Sequence, residues 1–474
     1  MSRTCQPVRG WLPVVVVLAW LCMAEEARAA GVEVRIEGVE GAVLENVRAF
    51  LGIVQRDLAA ESGEEGLDPG IVRRLHARAP AEIRSALEPF GYYDATVRGW
   101  LERSEDGWLA VYRVRPGDPV RVTSVTVRLE GSGGTDPAFR ELLDQLPLEE
   151  GIRLNHSDYT AAKQRLMELA AQRGYVEAVW IRSVLRVDPQ EKSAEIVLVL
   201  DTGPRYRFGE IRFESTVVGE EFLRRYLQFG PGDPFESGKL LDLQYALDDS
   251  DYFRRVDVVA RREAATDGRI PVDVALEARP KHRYTFGIGY GTDTGARASI
   301  GRETRYVNRW GHRLRAEAQV AEISASIRAR YTIPLKQPWR ERLELDTSLA
   351  EEDIGGGRTR EFTLGGSRIT TSRGWQRTLS LQYERSRDEI GGDVTTRNLV
   401  MPGIAFARSR YDDPVYASRG YRIAVDVNGG TETFGSDVSF ARTHMSLNGV
   451  LRVWDRGRII ARGDFGRIWT EEFD

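Results

Sequence analysis

Five histidines, His76, His156, His282, His312 and His444, are the side chains best suited to hold a metal or move a proton, and no two stand at ligand spacing. The two cysteines, Cys5 and Cys22, are too near the N-terminus to help them. Gly287-x-Gly289-x-Gly291 is glycine-rich, but it lies inside a period-two run with no helix after it, which is wrong for a dinucleotide loop. No Gly-x-Ser-x-Gly elbow or phosphate loop occurs. Glu317, Glu344 and Asp346 alternate with arginines, the pattern of a solvated charged face rather than of an acid–base pair. The residues therefore point to no enzyme, no cofactor and no metal. What remains is the chemistry of the backbone. The run Tyr284, Thr285, Phe286, Gly287, Ile288, Gly289, Tyr290, Gly291 reads as a strand whose three glycines remove side-chain packing and weaken it.

The elements that must position such a strand follow from length and pattern. At 474 residues the chain has room for three or four domains. Lys+Arg 67 against Asp+Glu 71 gives a net charge of −4, so nucleic acid is not an expected partner. Arg3 and Arg9 precede an apolar run, Trp11–Met23, which is followed by Ala27-Arg28-Ala29. That is the order of a secretory signal, 1–29, with cleavage after Ala29. Removal takes both cysteines with it, and bulky Trp20-Leu21 speaks against lipidation of Cys22. No later run is long and apolar enough for a spanning helix, so a membrane form must be a barrel.

One pattern occurs three times, over 30–119, 120–203 and 204–280. Each copy starts with a short strand (Val32, Val34, Ile36; Val125, Val127, Leu129; Ile211, Phe213) and continues into two helical stretches and two strands. In the third copy Ser237 is the expected N-cap of the second helix. The copies align on Tyr92, Tyr175 and Tyr252, at intervals of 83 and 77 residues, and these aromatics are the expected repeat cores. Gly91 and Gly174 stand where a helix ends in a left-handed residue. The fold class is α+β repeats followed by an all-β part.

From 281 to 474 the period changes to two. Leu314, Ala316, Ala318 and Val320 alternate with Arg313, Arg315, Glu317 and Gln319, and similar runs give about eleven strands. The expected arrangement has one apolar face and one face carrying the charges. Aromatics gather near strand ends, among them Tyr284, Tyr331, Trp375 and Trp469. This is the signature of a transmembrane antiparallel β-barrel in contact with the lipid bilayer.

Gly203–Phe213 with Asp251–Val256, and Arg410-Tyr411-Asp412-Asp413-Pro414 leading to Arg419-Gly420-Tyr421-Arg422-Ile423, carry a family likeness. Signal, three β-α-α-β-β repeats and barrel together resemble the POTRA-plus-barrel superfamily of outer-membrane assembly and export proteins. Three repeats resemble its TamA branch. The resemblance implies a sixteen-stranded barrel in the cell outer membrane with POTRA repeats in the periplasm. About five strands and an inward loop with an Arg-Gly-Phe/Tyr motif are then expected beyond Asp474. Ser418-Arg419-Gly420-Tyr421 has similar letters, but its place before an alternating run makes it the start of a strand.

The resemblance also implies function. Unfolded outer-membrane clients, such as autotransporters, would be folded and inserted by pairing with the seam strand Tyr284–Gly291, with a TamB-like inner-membrane partner. The alternative is a two-partner-type exporter of unfolded polypeptide through the pore. A passive porin fits the repeats poorly, and lipid transport stays open.

Overall fold

The computed structural model describes residues 31–55, 68–104, 107–214, 217–292, 294–454 and 457–470. The segment read as a signal, with Cys5 and Cys22, lies outside them. Two compact units divide the chain. The first holds the first repeat and most of the second. The other holds the third repeat and a long sheet, with Glu168–Val179 of the second repeat.

In the first repeat β1 (Gly31–Glu37) leads into α1 (Gly41–Phe50) and α2 (Pro69–Leu87), then β2 (Thr96–Ser104) and β3 (Gly107–Arg115). β3 lies in the middle, parallel to β1 and antiparallel to β2. The second repeat runs β4 (Arg121–Glu130), α3 (Pro137–Leu143), α4 (His156–Gln172), β5 (Val179–Asp188) and β6 (Ser193–Asp201). The third runs β7 (Arg207–Glu214), α5 (Glu220–Leu223), α6 (Ser237–Asp248), β8 (Phe253–Ala260) and β9 (Arg269–Ala278). Both repeat the same strand order, with the last strand central. A central last strand leaves two edges per sheet, one on the first strand and one on the second.

Local chemistry starts and stops these helices. Asp68 and Asp136 each precede a proline, and each side chain accepts from the backbone N–H two residues on, at 2.8 and 3.1 Å. Ser237 is not a cap. It is the first residue of α6, the cap position is Glu236, and no side chain bonds there. The Glu236 carboxylate is instead engaged by Arg205 at 3.2 Å. At the far helix ends Gly91 and Gly174 take φ of +84° and +85°. A Cβ at Gly174 would lie 2.7 Å from Cβ of Phe235, so only glycine fits. The third copy puts Asp251 in the same conformation, at φ +57°.

The tyrosine after each of these residues is placed differently. Tyr175 and Tyr252 are 2% and 1% exposed. Tyr92 is half-buried and still packs against the core of the first repeat. Its hydroxyl accepts a bond from Arg153 at 2.9 Å, and that polar contact keeps the ring edge at the surface.

The eleven strands of the long sheet lie in sequence order, each antiparallel to the next. They are β10 (His282–Gly291), β11 (Gly295–Thr304), β12 (Arg313–Ala321), β13 (Ser324–Pro334), β14 (Glu341–Ile354) and β15 (Gly357–Ser372). β16 (Trp375–Ile390), β17 (Asp393–Tyr411), β18 (Arg419–Gly430), β19 (Phe440–Trp454) and β20 (Gly457–Thr470) follow. The apolar face runs through the register as Phe286↔Ile300, Ile300↔Ala318, Ala318↔Ile327 and Ile327↔Leu349. The other face is polar, with Arg330 2.5 Å from Asp346 and Arg342 2.7 Å from Glu344. The separation of charge is incomplete. Arg302, Arg377, Arg408 and Arg410 share the parity and register of the apolar face, all at the end where the repeats join. A hydrophobic-polar alternation reads these strands as apolar at mid-length and does not register arginines at their ends.

Gly420 opposes Tyr411 at the start of β18. A Cβ there would sit 2.4 Å from the Tyr411 ring and from the Arg410 carbonyl oxygen. The Arg-Gly-Tyr letters are thus explained by close strand packing.

Candidate functional site

β10 pairs with β11 over all ten of its residues, from His282↔Thr304 to Gly291↔Gly295. Among the described residues no strand pairs with its other edge. Tyr284, Phe286, Ile288 and Tyr290 project from one face and are exposed, Ile288 at 94%. Gly287 and Gly289 lie on the opposite face in extended conformation. A Cβ at Gly287 would meet the Ser299 hydroxyl at 2.6 Å, and one at Gly289 would meet Nε of Arg297 at 2.9 Å. Both obstacles are side-chain ends on the neighbouring strand, so the glycines let β11 fill the polar face across β10. Among the described residues β10 is thus held by one ladder and few side-chain contacts, and the N–H and C=O groups of its other edge meet no strand.

The residues named from the sequence are brought together only in part. The eight from Tyr284 to Gly291 form one strand. Of the three tyrosines, Tyr252 touches the element that carries that strand. Its hydroxyl donates to the Gly311 carbonyl at 2.5 Å, and the Arg313 guanidinium lies 4.3 Å from its ring centre. Burial pushes the Tyr252 phenol up. Gly311 belongs to the loop between β11 and β12, directly beside the start of β10.

That loop, from Arg305 to His312, was not singled out by sequence reasoning. Arg305, with its side chain 9% exposed, reaches Asp251 at 3.1 Å and donates to the Pro280 carbonyl at 2.9 Å. Arg279 meets the same carboxylate at 3.2 Å. Asn308 folds the loop by accepting from Trp310 N–H at 3.0 Å and His312 N–H at 3.3 Å. Gly311, at φ +72°, brings the backbone against Phe222, whose ring would lie 2.4 Å from a Cβ. Trp339, between β13 and β14, packs on Tyr226 with ring centres 6.0 Å apart. The available signal was Asn-x-Trp-Gly-His at 308–312, a turn with too many large residues for a solvent loop.

Among the described residues no three His, Cys, Asp or Glu side chains gather as metal ligands, and no helix is long and apolar enough to cross a membrane.

Comparison with known proteins bears on the repeats and on the fold. Residues 33–116 match the family model described as POTRA domain TamA domain 1. Residues 206–279 match the POTRA model described as surface antigen variable number repeat. BamA from Haemophilus ducreyi lacking POTRA domains 1–3 is similar in fold, with TM-score 0.60 and 14% identity over 74% of this chain and 71% of that one. CdiB from Escherichia coli aligns with TM-score 0.44 and 14% identity, over 86% of this chain and 78% of that one.

Proposed function

We propose that this chain, a POTRA-plus-barrel protein of the superfamily that includes BamA, is an outer-membrane assembly factor whose repeats lie in the periplasm. Clients would be unfolded outer-membrane proteins, and β10 would template their terminal strands. The observation that carries this reading is that β10, the first strand of the sheet, is glycine-rich, pairs on one edge alone among the described residues and lies beside an exposed apolar face. In hydrocarbon a strand edge without partners costs several kcal/mol for each unsatisfied group. A client hairpin meets the same cost, and pairing the two edges removes both. No nucleotide is required, because client folding supplies the free energy. The proposal includes no enzymatic step and no cofactor, and a TamB-like inner-membrane partner belongs to it by family likeness alone.

Export of unfolded polypeptide past the charged face is the second reading, favoured by the arginine–carboxylate pairs around Arg330. Cysteine crosslinking separates the two. In a chain with Cys5 and Cys22 replaced, I288C should crosslink to one register of a cysteine-bearing client terminal strand during assembly. L345C, on distant β14, should not. Crosslinks found only at R315C on the charged face would favour export.

A further inference from the structure

We infer that the apolar face carries a binding site for the phosphate of an anionic phospholipid headgroup, formed by Arg377, Arg408 and Arg410. The inference rests on reading the sheet as a membrane-spanning barrel. Trp375 pairs with Arg408 and Arg377 with Phe406, so all four share one face of β16 and β17. Arg408 then pairs with Ile423, and Arg410 with Tyr421. On the same face, four residues further along β16, Leu379 pairs with Ile404, and both are exposed. At about 3.4 Å per residue Arg377 stands about 7 Å, Arg408 about 14 Å and Arg410 about 20 Å along the strands from that apolar pair, towards the repeat-bearing end. Trp375 and Tyr421 flank them as interface aromatics do.

Three features make this a site for an anion rather than ordinary surface charge. Among the described residues, none of the three guanidiniums has a carboxylate within ion-pair distance, whereas Arg368 on neighbouring β15 is 3.5 Å from Glu341. The acids closest in sequence are engaged by their own loop. Asp412 accepts from Asp413, Ser418 and Arg419 N–H at 3.0, 2.9 and 2.9 Å, and from the Ser418 hydroxyl. Asp413 accepts from Val415 and Tyr416 N–H, both at 2.7 Å. The Arg408 guanidinium also lies 5.6 Å from the Trp375 ring centre, which fixes its plane beside the gap between the strands. Guanidinium groups facing lipid at headgroup depth are matched by phosphate, which they bind through paired N–H donors.

The test uses the full chain refolded into phosphatidylcholine vesicles with a trace of photoactivatable phosphatidylglycerol or photoactivatable phosphatidylcholine. Crosslinked peptides are read by mass spectrometry. The phosphatidylglycerol probe should label peptides around Trp375 and Tyr421 well above the phosphatidylcholine probe, by about five-fold for each arginine near an anionic surface. R377Q/R408Q/R410Q should abolish that preference, and the three Lys replacements should retain most of it. Equal labelling by both probes, or a preference unchanged in the Gln variant, overturns the site. Inorganic phosphate is compared with chloride at matched ionic strength, and loss of labelling only with phosphate would reassign the arginines to free phosphate. Heat-modifiable gel migration in the same vesicles reports insertion separately. A chain that does not insert refutes the barrel reading and takes this site with it.

Discussion

His76 lies 3.0 Å from the Tyr112 hydroxyl, His156 2.9 Å from that of Tyr93, and His312 2.8 Å from that of Tyr331. Burial lowers the pKa of each imidazole, with Arg225 adding to the effect at His312 and Glu88 opposing it at His156. A group held neutral by folding binds more protons when unfolded, so stability rises with pH across its window. The repeats should be at full stability above the unfolded histidine value of about 6.5 and lose it as pH falls through that value towards the lower folded one. Urea unfolding of the detergent-solubilised chain, followed by tryptophan fluorescence at pH 7.5 and pH 5.5, checks this. The H76N/H156N variant should lose most of the pH dependence of the repeats, and an unchanged dependence would contradict the assignment. The sequence shows these histidines only as scattered residues. Their partners are 36, 63 and 19 positions away, a separation that no local pattern encodes. Tyr175 was legible because its neighbours repeat, and Tyr175→Ala should cost about 3–5 kcal/mol, as deletion of a core aromatic does.

Strands and helices were more legible than side-chain partners, and their misreadings have a physical pattern. The alternation found β12, β13 and β18 nearly to their ends, because those strands keep one apolar face along most of their length. It stopped short on β14 and β16, whose far ends carry Glu351, Glu352, Arg385 and Arg387 while the backbone ladder continues. Pairing outlasts hydropathy where strands rise beyond an apolar layer. At helix ends the sequence marks glycine clearly, but it gives no sign that Asp251 adopts the same left-handed form. Gly174→Ala should therefore cost more than about 1 kcal/mol in the second repeat, from φ and from collision with Phe235. On β10 the expectation is directional. Ile288→Val keeps the ladder and should be tolerated in assembly. Ile288→Pro removes a donor and should impair client assembly while heat-modifiable migration persists. Equal client yields for the two variants would show that backbone pairing at β10 is not used.

For the molecule as a whole, the contact between the third repeat and the loop from Arg305 to His312 matters most, because it joins that repeat to the hairpin carrying β10. The repeats and the sheet were both legible as separate periodicities, 3.6 with 2 in one and 2 alone in the other. Their junction was not, since it consists of single long-range contacts: Asp251 with Arg305, and Tyr252 with Gly311. A left-handed aspartate is strained by about 1 kcal/mol relative to glycine. Its carboxylate offsets that strain by meeting two guanidiniums, one of them almost fully desolvated. Asparagine keeps one acceptor oxygen but puts an NH2, which cannot accept, in place of the other, so one of the two guanidiniums loses its partner, and loss of a hydrogen bond to a charged group costs about 1.5–3 kcal/mol. Asp251→Asn should thus loosen the third repeat from the sheet without unfolding either. Tyr252→Phe, which loses a neutral bond, should do so by about 1 kcal/mol. Spin labels at Tyr245, exposed on α6, and at Val320 on β12 would report the separation of the two parts by pulsed dipolar spectroscopy. A broadened distance distribution in Asp251→Asn, intermediate in Tyr252→Phe and narrow in wild type, is the expected order. If all three are equally narrow, apolar packing of Trp339 on Tyr226 holds the junction, and the ion pairs add nothing to it.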